Sequence, residues 1–489
     1  MIDASEPGAP SLLEAESRGG DVNERGKMFE AAVILSSIPR WMAMEGFTSM
    51  LREGMGDVEA KFFVPGQGCI KEFAEVKDHQ VQPAEFWKEI DRFQAMDAGS
   101  FGEYQWFTLA TAGLSGSLHP LVNNLRRVRG PYGFYGADSS IMENSYKDYV
   151  QTVVKLGRTE KDAAFLYTKV MLQADLSVHH SYAQAMFMEE LQRHHPFYRT
   201  LSGYVLEDIY AHLSAFLQSR RNKTITRSEL EERLLEKIPV DARPAQQPVQ
   251  IHTVANDPDP DADPTKLCFA WVPFFGGQNR EYPPATVWNQ QLLTDLQTTK
   301  EWILEHRKVR RIVLSGNRRL SASLALGSVF SAVSGFSVVM MYRGSAWATD
   351  AHPQSAMPAY PLIQAGTCED ARGDRLVVSI GIIRDIADDV ESDLGHHGLT
   401  GMPILHLKGA SPIFSPEQAN LIVRDMKERM SKALQHTGAR QIDLFCAGPA
   451  FLALFLGHRL NATAPVQCYE HVETGCFVPT CRLGYMRGV

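Results

Sequence analysis

Two stretches of the chain repeat one another at a constant offset. Arg311–Gly327 (RIVLSGNRRLSASLALG) and Gln441–Gly457 (QIDLFCAGPAFLALFLG) align without a gap. Ile312 falls on Ile442, Leu314 on Leu444, Leu324 on Leu454, Leu326 on Leu456 and Gly327 on Gly457. Each copy reads as a strand, a turn of small residues and an apolar helix, and a further strand follows in both, FSVVMMYRG and PVQCYEHV. A duplicated strand–turn–helix constrains the fold tightly. Strands alternating with helices call for parallel sheets, so the spacing predicts two Rossmann-like halves in residues 265–489.

At 489 residues the whole chain exceeds what one ordinary core accommodates, which calls for two or three domains. Residues 1–26 are acidic, lack periodicity and are expected to be a disordered tail. Residues 27–240 read as a second domain, with a mixed α/β core over about 27–144 and a helical part over about 145–240. The Pro- and Asp-rich stretch 241–264 is expected to be the linker. The net charge of -8 is uneven, with the acid excess in the tail and linker and a small basic excess in residues 265–489. Bulk charge therefore does not single out a nucleic-acid binder. The seven scattered cysteines form no CxxC pair and suggest buried thiols in a reducing cytoplasm. No apolar run is long enough to span a bilayer, and the polar, acidic N-terminus argues against a signal peptide.

The chemistry concentrates in a hairpin, MGDVEAKFFVPGQGCIKEFAEVKDHQ, residues 55–80. Apolar residues alternate on both sides of a turn supplied by Pro65, Gly66 and Gly68. Alternation places Glu75 and Lys77 on one face, and Asp57 heads the neighbouring strand. Mg2+ (or Mn2+) prefers hard oxygen ligands and needs only one or two carboxylates while it keeps its waters, so Asp57 and Glu75 are the candidate metal ligands. Such an ion lowers the pKa of a bound water and stabilises charge on a phosphoryl group, and Lys77 can orient that water or neutralise the transition state. Glu59 and, less directly, Glu30 are alternative carboxylates. The competing structural reading is a solvated hairpin whose charges form cross-strand pairs. Arg126, Arg127, Arg129, Arg220, Arg221 and Lys223 form basic clusters that can grip DNA phosphates without reading sequence.

In the repeated half, turns that open helices present backbone N–H groups to anions. Ligands of open α/β sheets lie at the carboxyl ends of strands. Arg318, Arg319, Ser321, Arg384, Lys408, Gly448 and Pro449 fall at such ends, and Trp347 is placed to stack on a base or to pack in the core. No GxxxxGK loop, GxSxG elbow or GxGxxG fingerprint is present. The half reads as a binding module.

The pattern of Asp57 followed by Glu75-x-Lys77 resembles that of PD-(D/E)xK nucleases of restriction-endonuclease fold, although Met55-Gly56 precedes the aspartate where the motif has proline. GNRRLSASLALGSVF, YRGSAWATD and IDLFCAGPAFLALFLGHRLN with VQCYEHV resemble the SAVED domain, a fused pair of CARF-like units from bacterial anti-phage systems. The N-terminal half resembles the endonuclease domain ahead of SAVED in CD-NTase-associated (CBASS) effectors. The resemblance implies that a cyclic trinucleotide from a partner CD-NTase binds SAVED, that the receptors form homo-oligomers, and that the nuclease heads then cut double-stranded DNA in the bacterial cytoplasm. It also implies that Asp57, Glu75 and Lys77 are the catalytic set. Two other functions compete: a non-catalytic nucleotide receptor whose N-terminal half docks a partner, and an unregulated nuclease.

Overall fold

The computed structural model describes residues 15–484 apart from 101, 131, 137–138, 178, 221, 257–258, 260–262, 354–356, 369–370 and 410. Two compact units divide the chain, the first running to Phe63 and over Cys69–Pro244, the second comprising Val64–Gly68 and the residues from Ala245 onward.

The first unit is built on a six-stranded sheet. Its strands are β1 (Phe47–Arg52), β2 (Val58–Val64), β3 (Gly68–Val81), β4 (Tyr104–Leu114), β5 (Val170–Gln173) and β6 (Thr224–Thr226), in the spatial order β5-β4-β3-β2-β1-β6. Helix α1 (Ala15–Ala43) precedes the sheet, and α2 (Pro83–Ser100) connects β3 to β4, which run parallel. A strand–helix–parallel-strand crossover of this kind buries one helix face on the sheet. Phe86, Ile90 and Phe93 of α2 accordingly meet Phe73 and Phe107 in the core.

Three expectations are corrected here. Residues 15–26, expected to be disordered, are the first turns of α1, whereas residues 1–14 lie outside the described chain. The stretch expected to be purely helical contributes two short strands. Val170 of β5 is fully buried against β4, and β6 closes the other edge of the sheet beside β1. Val249–Val254, inside the expected linker, is a central strand of the second unit, with Val249 and Ile251 fully buried. Its alternation VQIHTV is that of a strand, and the prolines on either side masked it.

The second unit holds two sheets. The first comprises β7 (Val249–Val254), β8 (Leu267–Ala270), β9 (Arg311–Gly316), β10 (Ser337–Tyr342) and β11 (Ser345–Ala348) in the order β11-β10-β9-β7-β8. The second comprises β12 (Leu362–Ala365), β13 (Arg375–Ile382), β14 (Ile404–Gly409), β15 (Gln441–Ala447), β16 (Val466–Glu473) and β17 (Cys476–Leu483) in the order β12-β14-β13-β15-β16-β17. Matching β9 to β15 matches β10 to β16, β11 to β17, β7 to β13 and β8 to β14. Central pairs are parallel and the β10–β11 and β16–β17 hairpins antiparallel in both. The duplication is thus topological as well as sequential, with β12 an addition at one edge.

The two copies meet through their repeated helices, Leu320–Val329 and Ala450–Arg459. A Cβ on Gly327 would lie 2.1 Å from the carbonyl oxygen of Leu454, and a Cβ on Gly457 would lie 2.1 Å from that of Leu324. The glycines that align in the repeat are therefore the ones that allow backbone to touch backbone.

Candidate active site and sensor turns

The hairpin brings its charged residues together by a backbone contact. Asp57 immediately precedes β2, and its Oδ2 accepts a 2.6 Å hydrogen bond from the N–H of Val76, the residue between Glu75 and Lys77. Gly56 makes the approach possible, since a Cβ there would lie 2.2 Å from the Phe73 ring. At the tip, Gly66 and Gly68 take positive φ of 77° and 85°, conformations open to glycine. Lys77 Nζ lies 2.9 Å from Glu75 Oε1, so the two side chains share a face.

The electrostatics reflect this crowding. Burial and the neighbouring Glu75 carboxylate push the Asp57 carboxyl up to about 6, with Glu30 adding to the effect and the Val76 N–H and Lys77 opposing it. Two carboxylates that repel one another, on adjacent strands and beside a lysine, suit a hydrated divalent cation, which asks for no more than this from the protein. Among the described residues no group of three His, Cys, Asp or Glu side chains is arranged to hold a metal. The alternative carboxylates are occupied otherwise. Glu59 accepts from the N–H of Met55 at 3.1 Å, and Glu30 pairs with Arg52 at 2.8 Å.

Sequence reasoning missed two members of the cluster. Glu89 and Arg92 of α2 join it: Lys77 Nζ is 3.1 Å from Glu89 Oε1, while Arg92 reaches Glu75 Oε2 at 2.7 Å and Glu89 Oε2 at 3.0 Å. A signal was available. Glu89 stands at helical spacing with Phe86, Ile90 and Phe93 on the buried stripe of α2, where a carboxylate needs partners.

The basic clusters separate by environment. Arg126 and Arg127 are exposed on the helix His119–Arg129, as is Lys223 in its loop. Arg129 instead turns inward and donates to the carbonyls of Leu166, Tyr167 and Val170, which removes it from any DNA surface. Arg220 pairs with Glu229 at 2.8 Å, and Arg221 lies outside the described residues.

The sensor turns are similarly divided. Arg318 donates to the carbonyls of Ser315 and Gly316, and burial pulls its guanidinium down to about 10, so it ties its own turn. The Ser321 hydroxyl is buried against Thr480 Oγ1 at 2.9 Å, and its N–H donates to Glu470 Oε2 at 3.0 Å. The helix N-terminus expected to hold a ligand anion thus already holds a carboxylate. Trp347 is 4% exposed and packs at a 46° tilt against the Phe451 ring, centroids 4.4 Å apart, which makes it a core residue and not a base platform. Arg319 lies over the rings of Phe275 and Tyr282 at 4.2 and 4.5 Å. Arg384 and Lys408 do face solvent at strand ends, paired with Asp389 and Asp385 at 2.9 and 2.7 Å. Gly448 and Pro449 lead into the helix Ala450–Arg459, where no side chain caps the first turn.

Residues 295–483 match the model of SAVED, the SMODS-associated and fused to various effectors sensor domain. CD-NTase-associated protein 4 of Acinetobacter sp. (strain ATCC 27244 / 9458) is 25% identical over 483 residues, covering 97% of this chain and 99% of its own. The protein of the same name from Moraxella osloensis is 26% identical over 480 residues, with the same coverage. The chain is thus similar along nearly its whole length to these CD-NTase-associated proteins, and its residues 295–483 match a SAVED sensor domain. At the level of fold, the chain resembles the Acinetobacter baumannii Cap4 SAVED/CARF-domain containing receptor solved with the cyclic trinucleotide 2'3'3'-cAAA. The TM-score is 0.80 at 22% identity, over 94% of this chain and 98% of that one. The same receptor with 3'3'3'-cAAA gives a TM-score of 0.80 at 23% identity. No described helix of the chain is long and apolar enough to cross a membrane.

Proposed function

We propose that this chain is an anti-phage effector in which a cyclic oligonucleotide bound by the SAVED unit switches on double-stranded DNA cleavage by the N-terminal unit, an endonuclease of restriction-endonuclease-like fold. The nucleotide is of the cyclic trinucleotide class, which the similar Cap4 receptor carries. One observation carries the catalytic half. The Asp57 carboxylate is bonded to the backbone between Glu75 and Lys77, so three side chains separated in sequence converge.

In this reading Asp57 and Glu75 would hold Mg2+ or Mn2+, which supplies an activated water and charge stabilisation at the phosphodiester. Lys77 places a cation beside the developing negative charge, and Arg126, Arg127 and Lys223 hold the duplex through its phosphates. Gating follows if oligomer contacts form only in the ligand-bound state, because a ligand shifts a population only by its differential affinity.

The test is plasmid cleavage with Mg2+ and a panel of cyclic di- and trinucleotides. Cutting is expected with the matching nucleotide alone, with a rise in mass by ultracentrifugation. Lys77→Ala is expected to bind nucleotide normally and cut nothing. Cutting without nucleotide identifies an unregulated nuclease. Saturated binding with no cutting by the wild type leaves a non-catalytic receptor.

A further inference from the structure

Four side chains of the first unit close a ring of alternating charge. Glu75 contacts Lys77 through Oε1 at 2.9 Å and Arg92 through Oε2 at 2.7 Å. Glu89 contacts the same two cations, Lys77 through Oε1 at 3.1 Å and Arg92 through Oε2 at 3.0 Å. Both oxygens of Glu75 accept hydrogen bonds, Glu89 Oε2 meets Arg92 by charge without a hydrogen bond, and each cation lies between two anions. The ring is neutral, and Asp57 stands beside it as an uncompensated acid.

We infer that Glu89 and Arg92 are positioning residues of the nuclease site, and that Arg92 must leave Glu75 before that carboxylate can hold a divalent cation. The inference rests on the nuclease reading above. A guanidinium and a metal ion compete for the same carboxylate lone pairs, so the closed ring disfavours metal uptake. Arg92 is the member built to move. Its side chain is 37% exposed, against 11% for Glu75, 9% for Glu89 and 20% for Lys77. Its guanidinium carbon lies 5.3 Å from the centre of the Phe73 ring and 5.9 Å from that of Phe93, both buried, so only its outer side meets solvent. Released, the planar fork matches a phosphodiester. Glu89 meanwhile keeps its hold on Lys77, so the lysine stays in register while Glu75 changes partner.

The test uses the full-length protein with Mn2+ alone, titrated by electron paramagnetic resonance without DNA or nucleotide. Arg92→Gln is expected to bind Mn2+ about tenfold tighter than wild type, the scale of one half-exposed charge-assisted pair. Arg92→Lys restores the competing charge and is expected to return affinity towards wild type, while Glu75→Gln loses the site. Equal affinity in wild type and Arg92→Gln, with Glu75→Gln still losing the site, overturns the ring inference and leaves the nuclease reading standing. Absence of Mn2+ from this site in every variant, Arg92→Gln included, overturns both.

Discussion

Replacing Gly457 by alanine tests whether the aligned glycines set the contact between the two copies. The added Cβ would sit 2.1 Å from the Leu324 carbonyl oxygen, where a carbon–oxygen contact of about 3.3 Å is the near limit, so the helices must part by roughly 1.2 Å. Neither has room, because Ser321–Gly327 and Phe451–His458 are buried throughout. A gap of that size forfeits about half the dispersion energy along the seam, and overpacking costs ~1–3 kcal/mol. Alanine returns up to ~1 kcal/mol in helix propensity, leaving a net loss of roughly 1 kcal/mol. Two units in one chain do not unfold as one step, so the measurement should be local. Hydrogen exchange of peptides covering residues 320–329 and 450–459 is expected to lose roughly fivefold in protection. Gly99→Ala, on α2 with open space around it, is the control and is expected to cost nothing. Wild-type protection in Gly457→Ala would refute the close-approach argument.

Three further outcomes are expected. The raised Asp57 carboxyl favours the neutral form in the folded state, so it costs stability as pH climbs from 3.8 through about 6. Without metal, Asp57→Asn should therefore stabilise the protein at pH 7 by roughly 1–2 kcal/mol after allowance for solvent screening, and by nothing near pH 4; thermal melts at the two pH values decide, and an equal gain at both refutes the assignment. Arg129→Met should destabilise the first unit by roughly 2–3 kcal/mol through its lost carbonyl bonds while leaving DNA binding unchanged, whereas Arg126→Ala with Arg127→Ala should flatten the salt dependence of DNA binding by about two phosphate contacts with little effect on melting.

The hairpin was legible because period-two alternation and turn glycines are local signals, and alternation alone places Glu75 beside Lys77. The duplicated halves were legible because matched apolar positions at a fixed offset survive wherever the chain goes. Arg318 and Ser321 lie on the expected elements but turn inward, and Trp347 takes the core position that was one of its two expected places. A residue at a strand end points into the protein or out of it according to what packs above, here Thr480, Phe451 and the carbonyls of the same turn. Arg129 failed for the same reason: basic character in sequence does not say whether buried carbonyls wait within reach. Glu89 was overlooked because it lies on a helix after the motif, although its place in an apolar stripe marked it.

Glu470 gives the duplication an asymmetry. Its carboxylate, carried by the second copy, fills the positive end of the first copy's central helix. The two halves are therefore host and lock, not twins. Either one produced alone would be left with a bare helix end or a stranded acid.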